Sequence, residues 1–153
     1  GIPIKENISS KIFKFISKFY FVDKFCEENQ CDKFIKKLSI KTPDGSKNIE
    51  LLSGGNQQKV ILSKLLAFNP QILILDEPTR GIDVGAKQEI FKIINQMRHD
   101  ELSIIYISSE IDELMNIADQ ITVFSKGLVS GSLSRNEFNE NRLLEYSFSN
   151  FVE

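Results

Sequence analysis

The apolar positions of this chain keep different periods on either side of residue 50. Before it, Ile12, Phe15, Ile16 and Phe19, then Phe21, Phe25, Phe34, Ile35 and Leu38, recur at mostly helical spacings with lysines between them, which predicts two or more amphipathic helices. KTPDGSKN at 41–48 is a loop by its Pro, Gly and Asn content. The pattern then predicts a helix from Gly55 to Phe68 that ends before Pro70. QILILD follows as an uninterrupted apolar run of strand length, the sign of a parallel strand buried on both faces. A further helix is predicted over Val84–Arg98, with Ile90, Phe91, Ile94 and Met97 on one stripe. SIIYI at 103–107 reads as a second buried strand and EIDELMNIA as a short helix. QITVF at 120–124 is a strand joined through Lys126-Gly127 to LVSGS as a hairpin, and SRNEFNENRLLEYSFSNF closes the chain as a helix capped by Ser134. Alternating strands and helices give an α/β layer with a mainly parallel sheet.

Composition narrows the classes of function. The chain has 153 residues, 41% hydrophobic and 26% charged, enough apolar material for a single core. A formal net charge of -2 carries no electrostatic footprint for nucleic acid. The Phe/Lys alternation near the N-terminus also fits a membrane-surface helix or a base-stacking platform. Asp23, Glu27, Glu28 and Asp32 share the segment, however, and favour a small helical subdomain with solvated lysines. No apolar run approaches the roughly 18 to 20 residues of a bilayer span, and no leader pattern opens the sequence, so any membrane link is expected to go through a partner. Cys26 and Cys31 lie on a predicted helix, separated by roughly 7.5 Å along its axis and on different faces. That disfavours a disulfide, and with His99 far away no cysteine metal site is expected.

Two stretches carry candidate chemistry. Asp76 and Glu77 stand at the carboxyl end of an apolar strand, where open α/β sheets place their sites and where paired acids hold a metal and activate water. A structural capping acid would look the same. In LLSGGNQQKV, Ser53, Gly54 and Gly55 form the first turn of a helix, whose unpaired N–H groups and dipole make an anion site that bare glycines let phosphate approach. A capping serine before two incidental glycines is the plainer alternative, but glycine is costly in a helix.

LSGGNQQKV, then ILILDEPTRGID, then IIYISSE, in this order and spacing, resemble the nucleotide-binding domain of ABC transporters. Leu52 to Asn56 match its signature motif, Leu73 to Glu77 its Walker B motif and Gly81 to Asp83 its D-loop. The NQQKV and TRGIDVGAK variants look most like the second half of the duplicated ATPases that drive monosaccharide importers such as those for ribose and galactosides. The resemblance implies a P-loop NTPase (RecA-like) α/β core with a mainly parallel sheet, incomplete on its N-terminal side, plus a helical subdomain. On this reading residues 1–50 are the helical subdomain and 51–153 the ATPase core. ATP and Mg are the implied cofactors. Asp76 would organise the metal, through water, and Glu77 would position or deprotonate the attacking water. Ser53, Gly54 and Gly55, with Asn56 beside them, would grip the γ-phosphate of an ATP bound mainly by another half. Asp83 would carry the D-loop role across that interface, which is compatible with capping the helix after it. The implied partners are the other nucleotide-binding half and permease subunits, on the cytoplasmic face of the inner membrane, with no nucleic acid.

The chain departs from the family pattern in three places. Asn56 replaces the common glutamine and keeps its amide. Ser109 occupies the position of the switch histidine, and a neutral hydroxyl cannot supply a charge-tunable contact, so weak hydrolysis is expected where Asp76 and Glu77 act. His99, near a helix C-terminus, fits a dipole-complementing surface role instead. No G-x-x-x-x-G-K-[ST] loop is present: GIDVGAKQ at 81–88 has the wrong spacing, no Ser or Thr after the lysine and an aspartate within the cradle. The resemblance places that loop upstream of Gly1, so the chain is expected to be the C-terminal portion of a longer protein and inactive alone. Two other readings remain. One is an ABC-type ATPase acting on ribosomes or DNA, against which stand DEPTRGID rather than DEPTNHLD and the lack of heptads or basic surplus. The other is a catalytically silent remnant.

Overall fold

The computed structural model describes residues 1–12, 16–18, 21–98 and 102–149. Phe15, Phe19, His99 and the side chain of Phe21, all singled out above, lie outside what is described. The chain divides into two compact units, Gly1–Leu73 with Pro78–Ile105 and Ile74–Glu77 with Tyr106–Glu153.

In the first unit, α1 (Ile4–Ser9) packs on α2 (Lys24–Lys37) and on α3 (Gly54–Leu66), and α3 packs on α4 (Val84–Arg98). Their apolar stripes meet: Ile4, Ile8, Cys31, Val60, Leu62, Ile90 and Ile94 are fully enclosed. Asp23 caps α2 by accepting from Cys26 N at 3.1 Å, and Lys36 and Lys37 sit in its last turn, where positive charge suits the helix dipole. The expectation of helix through residues 12–21 fails in part. Ser17–Lys18 (β1) and Phe21–Val22 (β2) form a short antiparallel ladder, and Phe25 at the head of α2 is 76% exposed rather than part of the stripe. Residues 41–48 are a loop in which Asp44 accepts from both N and Oγ of Ser46, and these bonds hold its carboxyl below the usual range. Cys26 and Cys31 are free thiols on α2.

Among the described residues, β3 (Ile72–Asp76) and β4 (Ser103–Ile107) form a two-stranded sheet with no further strand. Ser103 N donates to Gln71 O at 3.0 Å and Glu77 N to Ile107 O at 2.9 Å, so both strands advance in the same direction and the pairing is parallel. Neither strand is buried on both faces. Leu73 and Leu75 point inward while Ile72, Ile74, Ile105 and Ile107 are between 48% and 61% exposed. The continuous apolar run marked a strand correctly but overstated its burial, because no layer among the described residues covers the second face.

The second unit holds α5 (Ile111–Ile117), β5 (Gln120–Ser125), β6 (Leu128–Ser134) and α6 (Glu140–Phe148). β5 and β6 are antiparallel and close through Lys126-Gly127, both at positive φ (48° and 80°), the turn geometry that matches strand twist. Ile121, Leu133 and Leu143 form the core, with Leu114, Met115 and Tyr146 packed around them. Ser134 caps, in a reciprocal box with Glu137, only a single 3₁₀ turn over Arg135–Glu137; the terminal helix itself is capped by Asn139, which accepts from Arg142 N at 3.1 Å. The expected single helix is therefore two pieces with two caps.

Candidate functional site

The described residues place the predicted chemistry in two groups. In the first unit, Leu52 ends a 3₁₀ turn and Ser53 takes the N-cap position of α3 in extended geometry, with Gly54 and Gly55 as the first helical residues. Ser53 makes no capping bond to the helix; its Oγ instead accepts from Asn56 Nδ2 at 2.8 Å. Asn56 Oδ1 accepts from Lys41 N at 2.8 Å, which ties the turn to the loop after α2. The N–H groups of the first turn thus lack a side-chain cap, and Ser53 and Gly54 are exposed.

The two glycines have different reasons. A Cβ on Gly55 would stand 2.5 Å from Ala86 Cβ on α4, so this glycine lets the two helices approach. A Cβ on Gly54 would meet only Ile82 Cγ2, at 3.3 Å. Asp83 accepts from Ala86 N at 2.9 Å and caps α4 while remaining exposed.

Beneath this turn lies a feature the motif reading passed over. Lys59 is buried, with its ammonium 2.8 Å from Glu89 Oε2 and donating to Ser39 O at 3.0 Å, and Lys41 Nζ lies 3.4 Å from the other oxygen of Glu89. The hydrogen bond from Lys59 and its charge, then that of Lys41, hold the Glu89 carboxyl below its ordinary range. The signal was available: Gly55, Lys59, Leu62 and Ser63 form the buried stripe of α3, and a lysine on such a stripe demands a partner.

In the second unit Asp76 ends β3, exposed, and Glu77 follows with φ at 45°. For a residue with a Cβ this backbone costs of order 1–3 kcal/mol and persists only where surroundings impose it. They do so here through the bond from Glu77 N to Ile107 O. Glu77 Oε1 accepts from Ser109 N at 2.9 Å, so Ser109 holds the carboxylate by its main chain rather than its hydroxyl. Ser108 Oγ accepts from Glu110 N and donates to the buried Glu113, which also accepts from Tyr106 Oη at 2.9 Å. Among the described residues no group of three or more His, Cys, Asp or Glu side chains forms a metal cage. A hard ion that keeps most of its waters and completes its shell with phosphate oxygens fits one exposed carboxylate such as Asp76; a dehydrated structural metal does not.

The turn at Ser53–Gly55, the strand-end acids Asp76 and Glu77 and the capped helix after them follow one another in the order of the motifs of a nucleotide-binding cassette. The family model described as ABC transporter matches residues 4–80, and the chain belongs to that family. Over 146 residues it is 45% identical to the ribose import ATP-binding protein of Clostridium perfringens (strain SM101), covering 95% of this chain and 29% of that protein. It is 43% identical to the xylose import ATP-binding protein of Geobacillus kaustophilus, over 94% of this chain and 28% of that one. The chain thus spans under a third of the length of these relatives. Among solved structures, an ATP-binding cassette of an ABC transporter superposes with a TM-score of 0.79 at 18% identity, over 95% of this chain and 62% of that one. A putative metal-chelate type ABC transporter in an inward-facing conformation gives 0.83 at 14%, over 97% and 59%. At these identities the likeness fixes the fold, that of the ABC ATPase cassettes with their P-loop NTPase core.

Proposed function

We propose that this chain is the signature-bearing part of the ATPase subunit of an ABC importer for a monosaccharide, and that it couples ATP hydrolysis to transport together with a second nucleotide-binding half and membrane permease subunits on the cytoplasmic face of the inner membrane. The names of the ribose and xylose import relatives support the substrate class. The observation that carries the site is the exposed Ser53-Gly54 turn, whose hydroxyl caps nothing and whose helix N–H groups have no side-chain cap. Such a turn binds the oxygens of a phosphate held by another subunit. Asp76 would hold magnesium through water, and Glu77 would orient the attacking water. Magnesium supplies charge neutralisation for phosphoryl transfer when bound.

Ser109 offers Glu77 a backbone amide and no titrating group, so hydrolysis at this half's own site is weak. The loop that cradles phosphates has no counterpart within the 153 residues, and the chain alone has no turnover. The test is sugar uptake and steady-state ATPase of the intact transporter with Gly54→Asp and Glu77→Gln. A carboxylate at Gly54 stands where the γ-phosphate docks and should cost on the order of 10²-fold or more in rate, whereas Glu77→Gln should be much milder. Equal, near-complete losses would overturn this division of labour, and ATP turnover by the isolated chain that Glu77→Gln abolishes would overturn its dependence on other parts.

A further inference from the structure

The hydrogen-bond order around Ser53 is fixed from one side only. Lys41 N has a hydrogen to give and nothing to accept with, so the Asn56 atom 2.8 Å away is the amide oxygen. The other end of the amide, the Nδ2 group, must then donate, and it does so to Ser53 Oγ at 2.8 Å. The serine oxygen is thereby an acceptor towards the protein. Among the described residues its own O–H meets no acceptor.

The Lys41 amide is itself held. Ser39, two residues earlier, carries a left-handed φ of 51° and its carbonyl takes the buried Lys59 ammonium at 3.0 Å, while the Lys41 side chain pairs with Glu89. Both ends of the 39–41 segment are therefore pinned to α3 and α4.

We infer that Asn56 is a positioning residue that sets the polarity of the Ser53 hydroxyl: by occupying the serine oxygen with an N–H, anchored through the Lys41 main chain, it leaves the hydroxyl proton to donate outward to a phosphate oxygen. The inference rests on the proposed phosphate-gripping role of Ser53 and adds the reason that role needs an amide at 56. A carboxamide both accepts from Lys41 and donates to Ser53. An aspartate of the same shape accepts from Lys41 but can only accept at Ser53, turning the hydroxyl inward and presenting its lone pairs to the phosphate.

Asn56→Asp is the decisive variant, with Asn56→Gln as the replacement that keeps a donor and an acceptor. In the 153-residue chain, exchange of the Lys41 amide is the structural readout: Asn56→Asp should leave its protection in place, and Asn56→Ala should speed its exchange about fivefold. In the intact ATPase, Asn56→Asp should lower kcat about 10²-fold with KM for ATP unchanged, the mark of a contact made in the transition state. Asn56→Gln should retain most of the activity. A double-mutant cycle separates hydroxyl polarity from simple charge repulsion. With Ser53 already changed to Ala, adding Asn56→Asp should cost nothing further. A full additional loss in that background overturns the positioning role, as does wild-type kcat in Asn56→Asp with Lys41 still protected. If Ser53→Ala by itself keeps wild-type kcat, the phosphate-gripping reading falls and the positioning role falls with it, a different result from losing the second while keeping the first.

Discussion

The ammonium of Lys59 sits 2.8 Å from Glu89 Oε2 with its own side chain 4% exposed and that of glutamate 44% exposed. One partner is thus desolvated and the other half in water, and the two are not equivalent. Glu89→Gln leaves the buried ammonium with the Ser39 carbonyl but no counter-ion, and should cost about 1–3 kcal/mol in urea unfolding. Lys59→Met removes the buried charge, keeps the aliphatic stem, and should cost less. The lowered Glu89 pKa gives a sign to the acid limb. Its contribution is complete above the ordinary carboxyl value of 4.5 and is lost as pH falls through the lower folded value. Stability of Glu89→Gln should be flatter than wild type over that acid range.

Gly55→Ala should destabilise by about 1–3 kcal/mol, as overpacking does, because the added methyl meets Ala86 across the α3–α4 contact. Gly55→Ala combined with Ala86→Gly should recover most of the loss. Thermal melts of the single and double variants decide it, and a neutral single variant would mean that the helices can part.

Cys31 is buried, and burial first, then the charges of Asp32 and Glu27, push its thiol up to about 11 from 9.0. Only the thiolate reacts. Alkylation at pH 8 should therefore label Cys26, half-buried on the same helix, well before Cys31. The raised value also means a stability term that is whole below 9.0 and is lost as pH rises from there through about 11. Cys31→Ala should flatten that alkaline limb, which chemical unfolding at stepped pH would read.

The contact between Ser109 and Glu77 runs through a main-chain N–H. Ser109→Ala should leave it intact, whereas Ser109→Pro removes the donor. Amide exchange at residue 109 in wild type, Ser109→Ala and Glu77→Ala should show protection in the first two and its loss in the third. Protection that vanishes in Ser109→Ala would assign the contact to the hydroxyl instead.

Four isoleucines stand exposed on a parallel pair that has no third strand among the described residues. Such an edge and face recruit other chains. Sedimentation of the chain should show concentration-dependent association that Ile74→Lys with Ile105→Lys reduces. A monodisperse monomer at all concentrations would count against it.

Elements that satisfy themselves locally were legible in the residues. Val84–Arg98 carries its cap and its stripe in the sequence, and the Lys126-Gly127 hairpin is marked by its glycine, which takes positive φ without a Cβ penalty. The failures were of another kind. An apolar strand announces what it prefers to bury, and whether Ile72 and Ile74 are covered depends on partners that the strand does not encode. Ser134 and Asn139 are both good caps, and only packing of Leu143 into its core decides which one opens the longer helix. At the candidate sites the motif positions were legible, but the bonds to Lys41, Lys59 and Glu89 join residues up to 48 apart, beyond any local pattern.

The left-handed backbone at Glu77 has a practical corollary. Glutamate and glutamine, alike in shape, bear much the same conformational cost there, and the bond from the residue's N–H to Ile107 does not depend on the side chain. Glutamate and glutamine at this position therefore sit on one shared main-chain scaffold, so the difference between them reports the headgroup alone, whereas aspartate changes both reach and backbone preference. Glycine would relieve the conformation and delete the headgroup at once, mixing two effects that glutamine keeps apart. Position 77 is in that sense a built-in comparator, on which carboxylate chemistry can be varied at constant geometry.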